Sequence, residues 1–223
     1  MHITVKNLLD IENNLKASLN KLNINNYPKI IAVSKTFKID KILPLIKHGH
    51  MDFGENKVQE AIEKWTEIKK NNSEIKLHMI GKLQTNKVKF AVKLFDYIHS
   101  VDSEKLAKSI SLYQEKKKFK PKVFIQVNIG NEVQKGGINT KDLEFFFKLC
   151  VETYNLDVIG LMCIPPNDDN VQEYFKKMKN MKDSLGLKEL SMGMSNDYKL
   201  AIDNGATFVR IGSKIFGERI NQF

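Results

Sequence analysis

Residues 28–38 read PKIIAVSKTFK. A proline opens the stretch, and the run Ile30-Ile31-Ala32-Val33 has the length and β-branched content of a strand buried on both faces. The pattern then breaks, with Ser34, Lys35 and Thr36 placing hydroxyls and an ammonium group directly past the strand's end. This arrangement recurs. Short apolar runs at 30–33, 51–53, 77–80, 97–99, 122–127, 156–160, 190–191 and 207–211 alternate with segments of helical periodicity. Among the latter are NKVQEAIEKWTEIKK (56–70), SEKLAKSISLYQEKKK (103–118) and NVQEYFKKMKNMKDSL (170–185). Strand–helix alternation implies parallel pairing through right-handed crossovers. Eight such units in 223 residues match an α/β fold, a closed (β/α)8 barrel of the TIM type. An open doubly wound sheet is the alternative, but no G-x-G-x-x-G follows the first strand. An amphipathic segment at about 4–23 adds an extra N-terminal helix. No linker rich in Gly, Pro or Ser interrupts the alternation, so residues 1–223 are expected to form one domain.

Composition narrows the functional classes. With 42% hydrophobic residues the chain can bury a core, and no apolar run approaches the length of a membrane span. The N-terminus lacks the form of a signal peptide, which places the protein in the cytoplasm. Cys150 and Cys163 are too few for a disulfide framework and lack zinc-ligand spacing, so both read as buried thiols. A net charge of +10 raises nucleic acid or an anionic ligand as partners. The lysine runs 116–118 and 176–177 fall within helical segments, where a solvated face is the ordinary explanation, and no aromatic-basic interleaving occurs; no specific nucleic-acid partner is expected. Against 34 lysines stand two arginines, Arg210 and Arg219, both in the last fifteen residues, which suggests a need for guanidinium geometry there.

The unusual residues follow the strands. SKTF (34–37), GENKVQE (54–60), IGKLQTNK (80–87), HSVDS (99–103), NIGNEVQKGG (128–137), GLMCIPP (160–166), SMGMSND (191–197) and RIGSKIFGER (210–219) would all sit at the C-terminal face of a barrel, where such barrels place their chemistry. In the last two, Gly193, Gly212 and Gly217 allow close backbone approach, Ser195 and Ser213 can donate hydroxyl hydrogen bonds, and each cluster opens a helix. Together they suit a phosphate group.

Across the same mouth, a partly desolvated Lys35 near other cations is expected to hold a larger neutral fraction, making it a candidate Schiff-base nucleophile. Pyridoxal 5′-phosphate (PLP) joins an aldehyde to a phosphate and is bound by lysine as an imine. Two other readings stand beside it: a lysine that snorkels or pairs with Glu55 or Asp102, and a class I aldolase whose lysine captures a sugar phosphate. His48 and His50 form an H-x-H that could bind a metal, although helix-end histidines are more often solvated or capping. His78 and His99, at the ends of the third and fourth strands, could contact ligand or simply pack. The methionines around Gly193 fit an apolar wall under a cofactor, or ordinary core.

AVSKTF, FGENKVQE, HMIGKLQTNK, HSVDS, GLMCIPP, LSMGMSND and VRIGSKIFGER, in this order from about residue 28 to 218, resemble the pyridoxal phosphate homeostasis proteins, single-domain relatives of the alanine racemase barrel. The resemblance implies a PLP-binding barrel with the imine on Lys35. It further implies Ser195, Gly212 and Ser213 on the phosphate, Arg210 facing the pyridine nitrogen and Asn56 near the ring. Glu132, Lys135 and Gly137 match the family's E-x-x-K-x-G, and Lys135 is a candidate for a looser second attachment. Members are thought to regulate the supply of free PLP without robust catalytic activity, which implies storage and delivery to PLP-requiring apo-enzymes. Nothing in the sequence demands more than a monomer. The alternatives are an amino-acid racemase and the aldolase. The racemase needs a second acid/base group, which in alanine racemase comes from a C-terminal β domain, and the present chain ends after its eighth unit.

Overall fold

The structure is a computed structural model describing residues 1–21, 27–132 and 134–218. Its eight strands are β1 (Lys29–Val33), β2 (Asp52–Glu55), β3 (Lys76–Met79), β4 (Tyr97–Val101), β5 (Lys122–Val127), β6 (Asp157–Cys163), β7 (Glu189–Met194) and β8 (Phe208–Ile211). They pair in parallel in sequence order, and β8 closes on β1 with Ile31 opposite Arg210. This is the expected (β/α)8 barrel. Around it run α1 (Ile3–Lys21), α2 (Ile39–Lys47), α3 (Val58–Asn71), α4 (Val88–Leu94), α5 (Glu104–Lys117), α6 (Leu143–Lys148), α7 (Val171–Ser184), α8 (Tyr198–Asp203) and α9 (Ser213–Phe216). The N-terminal helix expected over 4–23 starts one residue earlier; positions 22 and 23, like Arg219, lie outside the described residues.

Four strands outrun the C-terminal limits of their apolar runs: β2 and β4 each by two residues, to Glu55 and Val101, and β6 and β7 by three. β6 continues from Gly160 to Cys163 and β7 from Ser191 to Met194, because each glycine that reads as a breaker serves strand packing instead. A Cβ on Gly160 would lie 2.1 Å from the Glu189 carbonyl oxygen of β7.

The period-2 alternation of the strands divides the interior into two cores. Ile30, Ala32, Phe53, Leu77, Met79, Ile98, Val123, Ile125, Leu161, Leu190, Val209 and Ile211 point outward to the helices. The helices answer with matching stripes: α3 buries Val58, Ala61 and Trp65, and α5 buries Leu106, Ala107 and Ile110. α1 contributes Val5, Leu8, Ile11, Leu15 and Leu19 on one face, and the Asn7 side-chain amide donates to the Ile215 carbonyl (3.0 Å) to tie α1 to α9. The alternate residues Ile31, Tyr97, Phe124, Met162 and Phe208 fill the barrel lumen. The lumen also holds His78, His99, Ser191 and Arg210, all buried. His78 stacks on Tyr97 with centroids 4.3 Å apart, and His99 on Phe124 at 4.2 Å. Four of these nine lumen residues are thus polar or charged.

Gly160→Ala is expected to destabilise the fold by about 1–3 kcal/mol, because its methyl group meets backbone rather than a movable side chain. Urea denaturation measures it; an unchanged midpoint would contradict the close approach of β6 and β7.

Candidate functional site

A cavity of about 1010 Å³ opens at the C-terminal ends of the strands, and every strand or the loop after it contributes to its lining. Lys35 follows β1, Asn56 follows β2, Gly81 and Lys82 follow β3, and Asp102 follows β4. Gln126 and Asn128 come from β5 and its loop, Pro165 and Pro166 from the loop after β6, Ser195 from that after β7, and Arg210, Gly212 and Ser213 from β8 and its loop. All six residues expected to hold the ligand (Lys35, Asn56, Ser195, Arg210, Gly212 and Ser213) therefore line one space. Lys135 lines it too, with its ammonium group donating to the Pro165 carbonyl (3.2 Å) and paired with Glu132.

The loop bearing Lys35 is held from beneath. Thr36 has φ +68, a left-handed conformation that a β-branched residue rarely adopts, so neighbouring groups must impose it. They do so through three side chains in and just before α3. Thr36 N–H donates to Glu60 Oε1 (2.6 Å), Ser34 Oγ donates to Glu55 Oε1 (2.7 Å), and Lys64 Nζ donates to the Ser34 carbonyl (2.9 Å). Lys64 also reaches Glu55 Oε1 (2.9 Å) and Glu60 Oε1 (3.0 Å), while Trp65 Nε1–H donates to Glu55 Oε1 (3.0 Å). With Glu55 fully buried and Lys64 9% exposed, this is a desolvated ion pair clamped on the loop. Glu55, a conceivable partner for Lys35 in the sequence, spends its Oε1 on Ser34, Lys64 and Trp65. Phe37 stacks on Phe216 of α9 (centroids 4.9 Å), joining the loops after β1 and β8.

On the opposite wall the backbone is shaped for close approach. Gly193 has φ +88, and a Cβ there would lie 2.5 Å from the Ala201 methyl group of α8. A Cβ on Gly81 would lie 2.5 Å from the Asn56 carbonyl oxygen, so only glycine lets the loops after β2 and β3 meet at the mouth. Gly212 N–H donates to Ser195 Oγ (3.3 Å), bringing the two phosphate-type clusters together. Asp197 caps that loop by accepting from Met194 N–H (2.6 Å).

Arg210, 5% exposed, forms part of the cavity wall from inside the barrel. Its Nη2 donates to the Cys163 carbonyl and its Nη1 to Ser191 Oγ, both at 2.8 Å. Behind Ser191, His99 and His78 follow, and neither lines the cavity. Burial holds the His99 imidazole well below its ordinary range, aided by His78 and Arg210. Burial likewise pushes His78 down against the pull of Asp52. Burial raises the Asp102 carboxyl, against the charge of Lys82. It also pushes both thiols, Cys150 and Cys163, up to about 12, so neither is a nucleophile.

His48 ends α2 as its C-cap, and the His50 ring bonds the Asp52 carbonyl (2.9 Å). Among the described residues no cluster of three His, Cys, Asp or Glu side chains could hold a metal. Of the two methionines beside Gly193, Met192 packs outward into the helix-facing core and Met194 lines the cavity. The clamp of Glu55, Glu60 and Lys64 was absent from the sequence reading, although FGENKVQE contains both acids.

The family described as "Alanine racemase, N-terminal domain" matches residues 7–220. A pyridoxal phosphate homeostasis protein of Aquifex aeolicus is 40% identical over 87% of this chain and 88% of its own length. One from Vibrio cholerae is 37% identical over 86% and 85%. Among solved structures, PipY of Synechococcus elongatus with PLP bound is 33% identical, covers 97% of this chain and 100% of its own, and superposes with a TM-score of 0.84.

Lys64→Met should remove the clamp and leave the Glu55 carboxylate buried without its cation, a loss of about 3–5 kcal/mol in urea denaturation. Stability should also depend on pH. His50, His78 and His99 are held neutral by burial, their folded pKa values below the ordinary 6.5. The unfolded chain therefore binds more protons below that value, so stability is complete above it and declines as pH falls toward 5, by up to about 1.4 kcal/mol per pH unit for each histidine. Denaturation free energies that stay flat between pH 7 and 5 would contradict the burial of these rings.

Proposed function

The chain belongs to the pyridoxal phosphate homeostasis protein family, built on the alanine racemase N-terminal fold, and from that we propose that it binds PLP and serves as a carrier of it. The observation that carries this reading is that Lys35, Asn56, Ser195, Arg210, Gly212 and Ser213, from four separate strand ends, line one cavity.

The residues present suit PLP. Lys35 supplies the amine for the aldehyde carbon, on a loop held rigid by Glu55, Glu60 and Lys64. Ser195 and Ser213 offer hydroxyls and Gly212 a close backbone to the phosphate, in a cradle that a Cβ at Gly193 would distort. Asn56 flanks the ring, and Arg210 faces its nitrogen. When bound, PLP supplies an electrophilic carbon for amines and an electron sink for carbanions.

What these residues do with that sink favours storage over catalysis. A guanidinium is donor-only and stays protonated, so Arg210 can hydrogen-bond the ring nitrogen but cannot give it a proton, and an unprotonated ring is the weaker sink. No tyrosine, the residue type that supplies the second acid/base group in alanine racemase, stands among the described residues lining the cavity; the titratable groups there are Lys35, Lys82, Asp102, Lys135, Asp197, Arg210 and Glu218. The reading is therefore a single barrel domain spanning 1–223, monomeric and cytoplasmic, that holds PLP on Lys35 and releases it to PLP-requiring apo-enzymes without robust activity of its own. No helix among the described residues is long and apolar enough to cross a membrane.

The wild-type protein incubated with PLP should be yellow, and borohydride should fix the label on Lys35. Lys35→Ala should abolish the visible band with the fold retained. Ser195→Ala and Ser213→Ala should each weaken PLP binding by about 1.5–3 kcal/mol, and pyridoxal lacking the phosphate should bind poorly. Label located mainly on another lysine, or equal affinity for pyridoxal and PLP, would overturn the site. Deuteration of L-alanine at its α-carbon in deuterated water at enzyme-like turnover would overturn the carrier reading.

A further inference from the structure

Four hydrogen bonds cross the barrel lumen in series. Arg210 Nη1 lies 2.8 Å from Ser191 Oγ, Ser191 Oγ 2.9 Å from His99 Nδ1, His99 Nε2 3.0 Å from His78 Nδ1, and His78 Nε2 3.0 Å from Asp52 Oδ1. The ends of the series determine its direction. Arginine can only donate and an ionised carboxylate can only accept. With both imidazoles neutral, each link has one proton to place, and a single assignment satisfies all four. Arg210 donates to Ser191, the Ser191 hydroxyl to His99 Nδ1, His99 Nε2–H to His78 Nδ1, and His78 Nε2–H to Asp52. Any reversal sets two N–H groups, or two lone pairs, face to face.

We propose that Asp52, His78, His99 and Ser191 are positioning residues for Arg210, a one-directional relay that locks the guanidinium in the cavity wall and so presents its free donors to the ligand. No described carboxylate makes an ion pair with Arg210; its hydrogen-bond partners are the Ser191 hydroxyl and the Cys163 carbonyl. The relay joins that buried cation to an acid at the opposite, N-terminal end of the barrel, Asp52 at the start of β2. The stacked rings of Tyr97 and Phe124 keep both imidazoles in plane. The charged and titratable groups facing the relay are Lys29 of β1, Asp96 before β4, His50, Cys163 of β6 and Asp197 after β7. Burial opposes ionisation of Asp52, but the His78 bond and the charge of Lys29 outweigh it and keep the carboxyl below its ordinary range, the state that the direction of the relay requires. Only the last step, from Arg210 to ligand, rests on the PLP reading.

Nitrogen-15 NMR of the ligand-free full chain reads the relay without PLP. His78 and His99 should both be neutral Nε2–H tautomers at pH 7.5, and either ring found as Nδ1–H or doubly protonated would overturn the proposal. Asp52→Ala removes the terminal acceptor at a partly exposed position. It should let both rings populate the Nδ1–H tautomer, average the Arg210 Nη signals by guanidinium rotation, and weaken PLP binding roughly fivefold. Asp52→Asn, whose carbonyl can still accept from His78, should keep the tautomers and restore affinity to within about twofold of wild type. Unchanged Arg210 signals and affinity in Asp52→Ala would reduce the network to lumen packing and sink the positioning role. If Asp52→Ala does not fold, the wild-type tautomers and the Asn variant still decide. A wild-type protein that never binds PLP would overturn the carrier reading while leaving the tautomer result to judge the relay.

Discussion

A guanidinium at 5% exposure inside a closed barrel must have the donors it turns into the lumen met by protein, because an unsatisfied buried charge costs more than a domain of this size can spare. Much of the lumen follows from that requirement. The Cys163 carbonyl satisfies Nη2 and the Ser191 hydroxyl satisfies Nη1. The serine then needs an acceptor for its own proton, which His99 supplies, and the demand passes through His78 until Asp52 absorbs it near the surface. A barrel filled only with Val, Ile and Leu would pack as well but could not hold an arginine in the floor of its cavity. The aromatic rings of Tyr97, Phe124 and Phe208 show the compromise, giving the histidines apolar faces to lie on while their edges stay free for hydrogen bonds.

A second buried charge shapes the other side of the mouth. The pair of Glu55 and Lys64 contributes little net stability by itself, since desolvation offsets most of its attraction. Its contribution is positional. Lys64 holds the Ser34 carbonyl, Glu55 holds the Ser34 hydroxyl, and Glu60 holds the Thr36 amide in a left-handed turn, so the residue between them has little freedom. If Lys35 holds the ligand as proposed, it benefits from a backbone whose ordering cost is met during folding rather than on binding.

Much of the fold was legible because it repeats. Eight short apolar runs separated by helical periodicity leave little choice but a parallel barrel, and β5 even begins and ends where its run does. Boundaries failed where glycine misleads. Gly160 reads as a strand end and Gly193 as part of the loop past one, but both lie inside strands, β6 and β7, one admitting a neighbouring backbone and the other a helix. The six residues expected to hold a ligand share one rim for a related reason: each lies within two residues of a strand's C-terminal end, and barrel topology gathers such positions together.

The partners of those residues were not legible in this way. FGENKVQEAIEK (53–64) displays Glu55, Glu60 and Lys64 in plain order, yet only the packing of α3 under the β1 loop turns them into a clamp. For His78 and His99 the sequence left ligand contact and packing both open, and the structure decides for packing, turning them inward to each other. What the sequence determined by itself was the order of elements and which side chains stand at their ends, since both follow from local periodicity. The tertiary structure decided which groups share a proton: His99 and Ser191 are 92 positions apart and meet only across a closed lumen, where the register of non-adjacent strands sets the distance and no local pattern records it.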